Sequence, residues 1–159
     1  MDFDTDGDLD IIYTAGDNAD FGPVLKPYHG IYIYTNDGHF NFTESRFIPL
    51  AGAYDAMPSD FDNDGDLDIA AISFFPDYKK KKNQSFIYLE NTGGNYKRSY
   101  LPVSELGRWL VMDIGDIDED KDDDIILASL AFEVPGKPKI VNFWSQKGIP
   151  FIILENKFQ

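Results

Sequence analysis

The stretch DFDNDGDLDIAAIS, residues 60–73, places five aspartates and one glycine directly before an apolar run. The acidic part returns at residues 2–10 as DFDTDGDLD and at residues 116–124 as DIDEDKDDD, and an apolar run follows each copy. The first aspartates of successive copies are 58 and then 56 residues apart. A repeat period slightly above 50 residues is typical of propellers and of arrays of like units.

The composition fits a folded domain and excludes several classes of protein. The chain has 159 residues, of which 43% are hydrophobic and 15% aromatic, so it is not a disordered acidic tail. It contains no cysteine, which excludes a disulfide framework and thiol chemistry. No apolar stretch approaches the roughly 20 residues that span a bilayer, so membrane insertion is not expected. No signal peptide is recognisable in the first residues.

The negative charge is concentrated in the three acidic copies. The formal net charge is −14. Seventeen of the 28 acidic residues, but only one of the 14 basic residues, lie in the three nine-residue segments. This distribution favours a local cation at each segment over a general acidic surface, and it gives no indication of nucleic-acid binding.

Aspartates at the first, third and fifth positions, with glycine at the sixth, are typical of a tight loop around a hard cation. Alternate side chains converge on one centre, the glycine permits a sharp turn, and a later carboxylate completes the oxygen shell. Calcium accepts six to eight oxygen ligands in irregular geometry, whereas magnesium requires an octahedron and retains its waters. The spacing therefore predicts calcium, with up to three ions, one in each loop.

The EF-hand is the main alternative calcium loop, and the sequence argues against it. That loop needs a bidentate glutamate at its twelfth position and flanking helices. The twelfth residues here are Tyr13, Ala71 and Leu127, none of which has a carboxylate. Each copy instead has an aspartate at its ninth position and then enters an apolar run rich in strand-forming residues. A solvated acidic turn without metal stays open as an interpretation, although three copies in phase disfavour it.

Fifteen aspartates are the predicted metal-site residues. The predicted side-chain ligands are Asp2, Asp4, Asp6, Asp10, Asp60, Asp62, Asp64, Asp68, Asp116, Asp118, Asp120 and Asp124. The seventh residue of each loop (Asp8, Asp66 or Asp122) is expected to offer its main-chain oxygen, with its side chain outward. The third loop is the least regular, because Lys121 replaces the glycine and a left-handed backbone there costs on the order of 1 kcal/mol.

Three strands are predicted after each loop, and no segment is predicted to be helical. The predicted strands are residues 10–16, 30–36, 39–47, 67–75, 85–91, 95–103, 124–132, 139–145 and 150–156. TNDG at residues 35–38 and ENTGG at residues 90–94 are hairpin turn signals. SELGRWL at residues 104–110 has the strongest helical pattern and is interpreted as loop and strand.

The apolar runs IIY, IAAI and IILASL carry apolar side chains on both faces. Such runs favour strands that are packed between neighbouring sheets. The predicted fold is therefore all-β, a series of small antiparallel sheets joined through acidic loops.

The segments DFDNDGDLDIAAIS and DFDTDGDLDIIYTAG resemble the FG-GAP/VCBS repeats of integrin-α-like β-propellers, and SFIYLEN and PFIILEN resemble a strand common in bacterial members. The resemblance implies a partial β-propeller of consecutive four-stranded antiparallel blades, with an Asp-rich calcium loop between the first and second strands of each blade. It implies one partial propeller over residues 1–159: a blade lacking its first strand at 1–50, a complete blade at 51–106 and a last blade, complete or not, at 107–159. Because propellers typically close with four to eight blades, the chain is expected to be a C-terminal fragment whose partners include the remaining blades.

Catalytic patterns are missing from the sequence outside the loops. It contains no GxSxG, no HExxH, no phosphate loop and no separate acid pair. The expected protein is therefore not an enzyme but a calcium-binding module in which calcium is structural. The resemblance implies binding of an extracellular protein or glycan, as in cell adhesion, at an extracellular, cell-surface or periplasmic location. The alternative is a non-catalytic propeller part of a secreted enzyme, such as a polysaccharide lyase or an oxidoreductase.

Overall fold

The structure, a computed structural model, describes residues 1–16, 24–80, 82–130, 134 and 136–157. Its strands are β1 (Ile11–Ala15), β2 (Gly30–Asn36), β3 (Phe42–Pro49), β4 (Ala53–Ser59), β5 (Asp68–Ser73), β6 (Phe86–Thr92), β7 (Asn95–Ser99), β8 (Trp109–Gly115), β9 (Asp124–Ser129) and β10 (Phe151–Leu154). They form three antiparallel sheets with the orders β1-β2-β3, β4-β5-β6-β7 and β8-β9-β10. The predicted all-β class is confirmed.

The second sheet is buried on both of its faces. Every residue of β5 is buried, and alternate side chains of a strand point to opposite sides of its sheet. Ile69 belongs to a core cluster that includes Ile31 of the first sheet, whereas Ala70 belongs to a second cluster that includes Trp109 of the third sheet. The predicted packing between neighbouring sheets is confirmed for the run IAAI in β5, whereas Ile11 and Tyr13 of the run IIY in β1 are 43% and 55% exposed.

The acidic loops occupy the same place in successive sheets. The loop at residues 60–68 joins β4 to β5, and the loop at residues 116–124 joins β8 to β9. The loop at residues 2–10 leads directly into β1. The aspartate at the ninth position of each loop therefore lies at the start of a strand. That strand is an inner strand in the second and third sheets (β5 and β9) and the edge strand β1 in the first.

Two hairpins lie where the sequence predicted them. Gly93 and Gly94 join β6 to β7 with φ angles of 58° and 85°, which suits a two-residue hairpin turn that needs a left-handed backbone at both positions. β2 and β3 are joined by a longer turn, closed by a hydrogen bond from the Asp37 N–H to the Asn41 carbonyl at 3.3 Å. Both hairpins are antiparallel pairs.

The predicted strand at residues 139–145 is wrong, because these residues lie in a helix, α1 (Pro138–Lys147). Pro138 occupies the first turn, and Gly148 ends the helix in a left-handed conformation with φ of 60°. Trp144 is buried, and its indole N–H donates to the Glu105 carbonyl at 3.0 Å. No helix among the described residues is long and apolar enough to cross a bilayer.

Helix α1 lies in the connection that follows β9, so the third strand of this sheet comes from the predicted strand at residues 150–156. β10 pairs antiparallel with β9 as β6 pairs with β5, so the third sheet has three strands within the described residues. The predicted strand at residues 95–103 is also shorter than expected. β7 ends at Ser99, and a 3₁₀ turn follows at Pro102–Glu105.

Arg108 joins the second and third sheets from a buried position. Its side chain is 1% exposed, and its Nε–H donates to the Phe74 carbonyl at 2.9 Å. The guanidinium lies 3.7 Å from the centre of the Phe74 ring and 4.8 Å from that of Phe75. A charged group thus replaces apolar packing where β8 begins, and it holds the two sheets together by a hydrogen bond and cation–π contacts.

Candidate metal-binding loops

The first aspartate of each loop closes that loop by accepting two backbone hydrogen bonds. In the second loop (residues 60–68), the Asp64 and Gly65 N–H groups donate to the two carboxylate oxygens of Asp60, each at 3.0 Å. In the first loop (residues 2–10), Asp2 accepts the corresponding bonds at 3.1 and 3.0 Å. In the third loop (residues 116–124), Asp116 accepts both at 3.1 Å. Three loops of different sequence therefore follow the same backbone path.

Two left-handed residues in each loop produce this path. The sixth residue has φ angles of 98° at Gly7, 93° at Gly65 and 80° at Lys121, so the predicted left-handed backbone at Lys121 is confirmed. The fourth residue is left-handed too, which the sequence reasoning missed: Thr5 (61°), Asn63 (56°) and Glu119 (66°). A left-handed residue other than glycine costs roughly 1–2 kcal/mol, which the hydrogen bonds inside the loop help to offset.

Carboxylate oxygens converge inside each loop. In each loop, one oxygen from each of three aspartates lies within 4.8 Å of the other two. The trios are Asp2, Asp4 and Asp10; Asp60, Asp62 and Asp64; and Asp116, Asp118 and Asp120. Nine of the twelve predicted side-chain ligands are therefore brought together, and Asp6, Asp68 and Asp124 lie outside the trios.

Asp68, at the ninth position of the second loop, lies outside the trio and bonds to the C-terminal end of the neighbouring strand β6. The Asn91 N–H donates to one oxygen of Asp68 at 2.7 Å, and the Tyr88 hydroxyl donates to the other. Burial is the main cause of the raised pKa of Asp68, and burial together with the Asp68 carboxylate raises the pKa of Tyr88. Tyr88 therefore stays protonated and remains a hydrogen-bond donor.

The same aspartate–asparagine contact recurs in the other two loops. The Asn36 N–H donates to Asp10 at 2.9 Å, and the Asn156 N–H donates to Asp124 at 2.8 Å. The sequence reasoning assigned the ninth aspartates only as ligands and missed these asparagines. The signal was present, because the segments GIYIYTN, SFIYLEN and PFIILEN all end in asparagine.

A family model for the FG-GAP-like repeat matches the chain twice, at residues 2–71 and at residues 60–127. The first match contains the first and second loops, and the second match contains the second and third. This chain is an FG-GAP-like repeat protein. No curated protein and no solved structure matches it.

The aspartate at the third position of each FG-GAP-like loop has a raised pKa. Partial burial is the largest cause at Asp4, Asp62 and Asp118. At Asp4 and Asp62 the negative charges of other aspartates in the same loop raise the pKa further, whereas at Asp118 a hydrogen bond with Glu155 is the next cause. A cation among these oxygens would favour the ionised carboxylates.

The side chains at the seventh position lie outside the aspartate trios, in contact with other parts of the protein. Asp66 accepts a hydrogen bond from the Gly93 N–H at 2.9 Å, and Asp122 is buried, with 7% of its surface exposed. The carboxylate of Asp8 lies against the turn at Gly38, where an added Cβ would be only 2.6 Å from its Oδ2 atom. In the first two loops this position thus faces the hairpin turn that follows in the same sheet.

Loops of the repeats also contact the next sheet. The Ser59 hydroxyl, just before the second loop, donates to Asp123 of the third loop at 2.5 Å. The Asn156 side-chain amide donates to the Phe61 carbonyl of the second loop at 2.8 Å. The loops therefore join neighbouring sheets as well as neighbouring strands.

The oxygen donors of the loops fit calcium. Calcium lies about 2.3–2.6 Å from its oxygen ligands, so two ligands on opposite sides of the ion are about 5 Å apart. The separations of up to 4.8 Å within each trio lie inside that limit. A carboxylate oxygen has two lone pairs and can accept an N–H hydrogen bond while it ligates a metal. The trios consist of hard carboxylate donors alone, which suits calcium better than a transition metal.

Proposed function

We propose that this chain is a calcium-stabilised β-propeller repeat module that binds a protein or a glycan outside the cytoplasm. The observation that supports the calcium is the threefold recurrence of one loop geometry, in which three aspartates bring carboxylate oxygens within 4.8 Å of one another. Calcium is structural in this proposal. The FG-GAP-like family supports the extracellular location, since such repeats are typical of extracellular proteins.

Calcium would act on stability by removing repulsion within a loop that is already tied to its sheet. Asp60 holds the backbone of the second loop, and Asp68 holds the end of that loop to β6. An ion that binds only the folded state adds about 2.7 kcal/mol per site at a hundredfold excess over Kd. Extracellular calcium modules have a Kd of about 10⁻⁴ to 10⁻³ M, so a site of that class would be occupied outside cells and empty in the cytosol.

The three sheets would be consecutive blades, at residues 1–50, 51–106 and 107–159. The outer faces of the first and third sheets support this arrangement. Tyr13 and Phe151 are 55% and 60% exposed on those faces, whereas the corresponding residues of the second sheet, Ala71 and Phe86, are fully buried. Further blades of the same propeller would cover the exposed faces.

Thermal melting with calcium, with magnesium and with a chelator tests the calcium proposal. Calcium at millimolar concentration should raise Tm, and magnesium should do so much less. Asp62→Asn should reduce the calcium-dependent rise, because it removes one charge of the second trio. Asp77→Asn is the matched control, since Asp77 accepts the Lys79 N–H at 3.0 Å in a turn outside the loops. Identical melting in calcium and in chelator would refute the proposal.

A binding role is tested with the calcium-loaded protein on a glycan array and on a panel of extracellular proteins. Saturable binding of one class in calcium supports the proposed adhesion-like function. The repeats themselves are proposed to be non-catalytic, so a turnover assay on acidic glycans should give no product.

A further inference from the structure

A cationic surface lies along the junction between the first and second sheets, although the chain as a whole is acidic. The formal net charge is −14, and only 14 of the 159 residues are lysine or arginine. The surface combines residues of β3, of β7 and of the connection between β5 and β6. We call it the junction surface, and its members are Arg46, Lys80, Lys82, Tyr96, Arg98 and Tyr100.

Three members of the junction surface lie on one side of β7 and of the residue that follows it. Tyr96, Arg98 and Tyr100 alternate along the chain, so successive side chains are about 7 Å apart on the same side. Both tyrosines pack against the core cluster that the first two sheets share. The Arg98 guanidinium donates to the Pro49 carbonyl of β3 at 2.7 Å. This side of β7 therefore faces the first sheet.

Each tyrosine of the junction surface has a cation beside its ring. The Arg46 guanidinium lies 5.5 Å from the centre of the Tyr96 ring, and the Lys82 ammonium lies 4.8 Å from that of Tyr100. Cation–π attraction favours these positions. Cations and aromatic rings thus follow one another along the junction.

The Tyr100 hydroxyl can act as a hydrogen-bond donor to a bound anion. Its oxygen accepts the Gln84 Nε2–H at 3.3 Å, which leaves its own hydrogen available. Burial alone would raise the pKa of Tyr100, but the Gln84 bond and the Arg98 and Lys80 cations lower it overall. A hydroxyl among cations donates well to a carboxylate or sulfate oxygen.

The cations of the junction surface have no carboxylate partner among the described residues. Lys97 pairs with Glu90 and Lys157 pairs with Glu155, but none of the four junction cations forms an ion pair. The second sheet lies between two others, so the junction surface has described walls on both sides. It therefore does not depend on an uncovered strand edge or an outer sheet face.

A polar groove of about 290 Å³ lies at one end of the junction surface. Arg46 and Tyr96 line it together with Thr35, Ser45 and Asn91. Hydroxyl and amide groups beside an aromatic ring are suited to hydrogen-bonding and packing against a sugar ring. Asp4 lines the groove as well, so a negatively charged group of a ligand is favoured on the Arg46 side.

The charge distribution favours a narrow anionic ligand over a broad anionic surface. The net charge of −14 repels a membrane of acidic lipids as a whole. A single extended polyanion needs to contact only the junction surface, because charges more than about 8 Å away are largely screened at physiological salt. The hydroxyl and amide groups of the groove favour a glycan over an acidic peptide or a nucleic acid.

We infer that the junction surface binds an acidic glycan. Its carboxylate or sulfate groups contact Arg46, Arg98 and the two lysines, and one sugar ring packs beside Tyr96 in the groove. Clusters of lysine and arginine are typical of heparin-binding patches. The inference deepens the proposed function, on which it rests for the presence of an extracellular partner, by naming the glycan class and its surface.

A fluorescent heparin octasaccharide is the probe, since it carries both carboxylate and sulfate groups. It is titrated with the full chain in calcium, and anisotropy is measured. We expect saturable binding that weakens as salt is added. A neutral oligosaccharide of glucose should not compete. No saturation at millimolar protein, or binding that salt leaves unchanged, would overturn the inference.

Other polyanions test whether the surface selects a glycan. Polyglutamate and single-stranded DNA of the same charge, and vesicles containing phosphatidylserine, are used as competitors. Each should compete at least tenfold more weakly than unlabelled octasaccharide. Equal or stronger competition by any of them would overturn the assignment to a glycan.

Variants of exposed lysines locate the binding without disturbing the fold. The double variant Lys80→Gln with Lys82→Gln should weaken the octasaccharide at least tenfold, and Lys82→Arg alone should retain binding. Lys147→Gln is the matched control, because the Lys147 ammonium also lies beside an aromatic ring, 5.6 Å from the centre of Phe143. It should leave binding unchanged. An unaffected double variant, or an equal loss in the control, would overturn the inference.

The groove is tested separately from the lysines. Arg46→Gln should weaken the octasaccharide at least tenfold, and the amide resonances of Gly94 and Arg98 should shift on binding. Resonances of β10 in the third sheet should stay in place. Shifts confined to the third sheet, or full binding by Arg46→Gln, would contradict the assigned position.

Calorimetric titration with calcium alone is run on the same samples. Calcium uptake without octasaccharide binding refutes this inference but not the calcium proposal. Absence of calcium uptake refutes the calcium proposal but not this inference. Binding of a neutral glycan or a protein that the lysine variants leave unchanged would support the proposed function and refute the inference.

Discussion

The backbone N–H of Asn91 donates to the carboxylate of Asp68 at 2.7 Å across 23 residues of sequence. Asp68 is fully buried. This bond fixes the last residue of the acidic loop to the C-terminal end of β6. The pairs Asp10–Asn36 and Asp124–Asn156 repeat this bond at 2.9 and 2.8 Å. The ninth carboxylate is therefore a structural anchor before any ion is considered.

Replacing this anchor should destabilise the protein even without metal. Asp68→Ala leaves the Asn91 N–H and the Tyr88 hydroxyl without their acceptor, and each unsatisfied buried group costs about 1–3 kcal/mol. We expect the free energy of unfolding to fall by about 3 kcal/mol, measured by urea denaturation in chelator. Asp77→Ala, outside the loops, should change it by less than about 0.5 kcal/mol. Equal losses in the two variants would contradict the anchoring role.

The stability contributed by Asp55 should depend on pH. Asp55 is half-buried in β4, and burial raises its pKa above the ordinary 3.8, with the charge of Asp113 on β8 adding to the rise. A raised folded-state pKa means that the contribution is full below pH 3.8 and is lost as the pH rises through the folded value. Asp55→Asn cannot ionise, so it should unfold at higher urea than the wild type at pH 7.

This difference between Asp55→Asn and the wild type should shrink as the pH is lowered toward 4. Urea midpoints measured at several pH values check the trend. Asp113→Asn should give a smaller change in the same direction, because it removes only the secondary cause. A difference that stays constant with pH would refute the assignment.

Lys121 should lower the stability of the protein through its left-handed backbone and weaken calcium binding at the third loop through its charge. The two effects can be separated. Lys121→Gly relieves a backbone with φ of 80° and should raise the free energy of unfolding by about 1 kcal/mol. Lys121→Ala keeps most of the backbone strain but removes one positive charge from the third loop. Both variants should bind calcium more tightly at the third loop in calorimetry, and only the glycine variant should be more stable in chelator. Equal stability of the two variants would contradict the strain argument.

Arg108 should be among the most sensitive cationic residues. Arg108→Lys removes the Nε–H bond to the Phe74 carbonyl and the stacked guanidinium, inside a site that is 1% exposed. A hydrogen bond from a charged group contributes about 1.5–3 kcal/mol, so we expect a loss of that size in urea denaturation. Arg98→Lys is the control, since Arg98 donates to the Pro49 carbonyl at 2.7 Å from an exposed position. A smaller loss at Arg108 than at Arg98 would contradict this account.

Local sequence was sufficient to predict the loops and most strands. Alternating aspartates with a glycine determine a tight acidic turn, and apolar runs such as DIAAIS in β5 specify a strand that is buried on both faces. The helix α1 was missed because Ile140 and Val141 favour strands locally. Its caps, Pro138 and Gly148, were the stronger signal, and tertiary packing of Trp144 decides the outcome.

Long-range contacts could not be predicted from spacing alone. The bond between Asp68 and Asn91 depends on how β6 lies beside β5. The burial of Asp122 depends likewise on the packing around the third loop. Spacing does not reveal this packing, so an outward side chain was expected there. Periodicity specifies which face of a strand is apolar, but it does not specify which carboxylate meets which strand end.

The most direct test of the central claim is a high-resolution crystal structure of the calcium-loaded protein with anomalous diffraction. The account predicts an anomalous peak within each aspartate trio, strongest in the first two loops, with carboxylate oxygens about 2.3–2.6 Å from the ion. Loops that hold only water at millimolar calcium, or aspartate trios that spread apart, would contradict it.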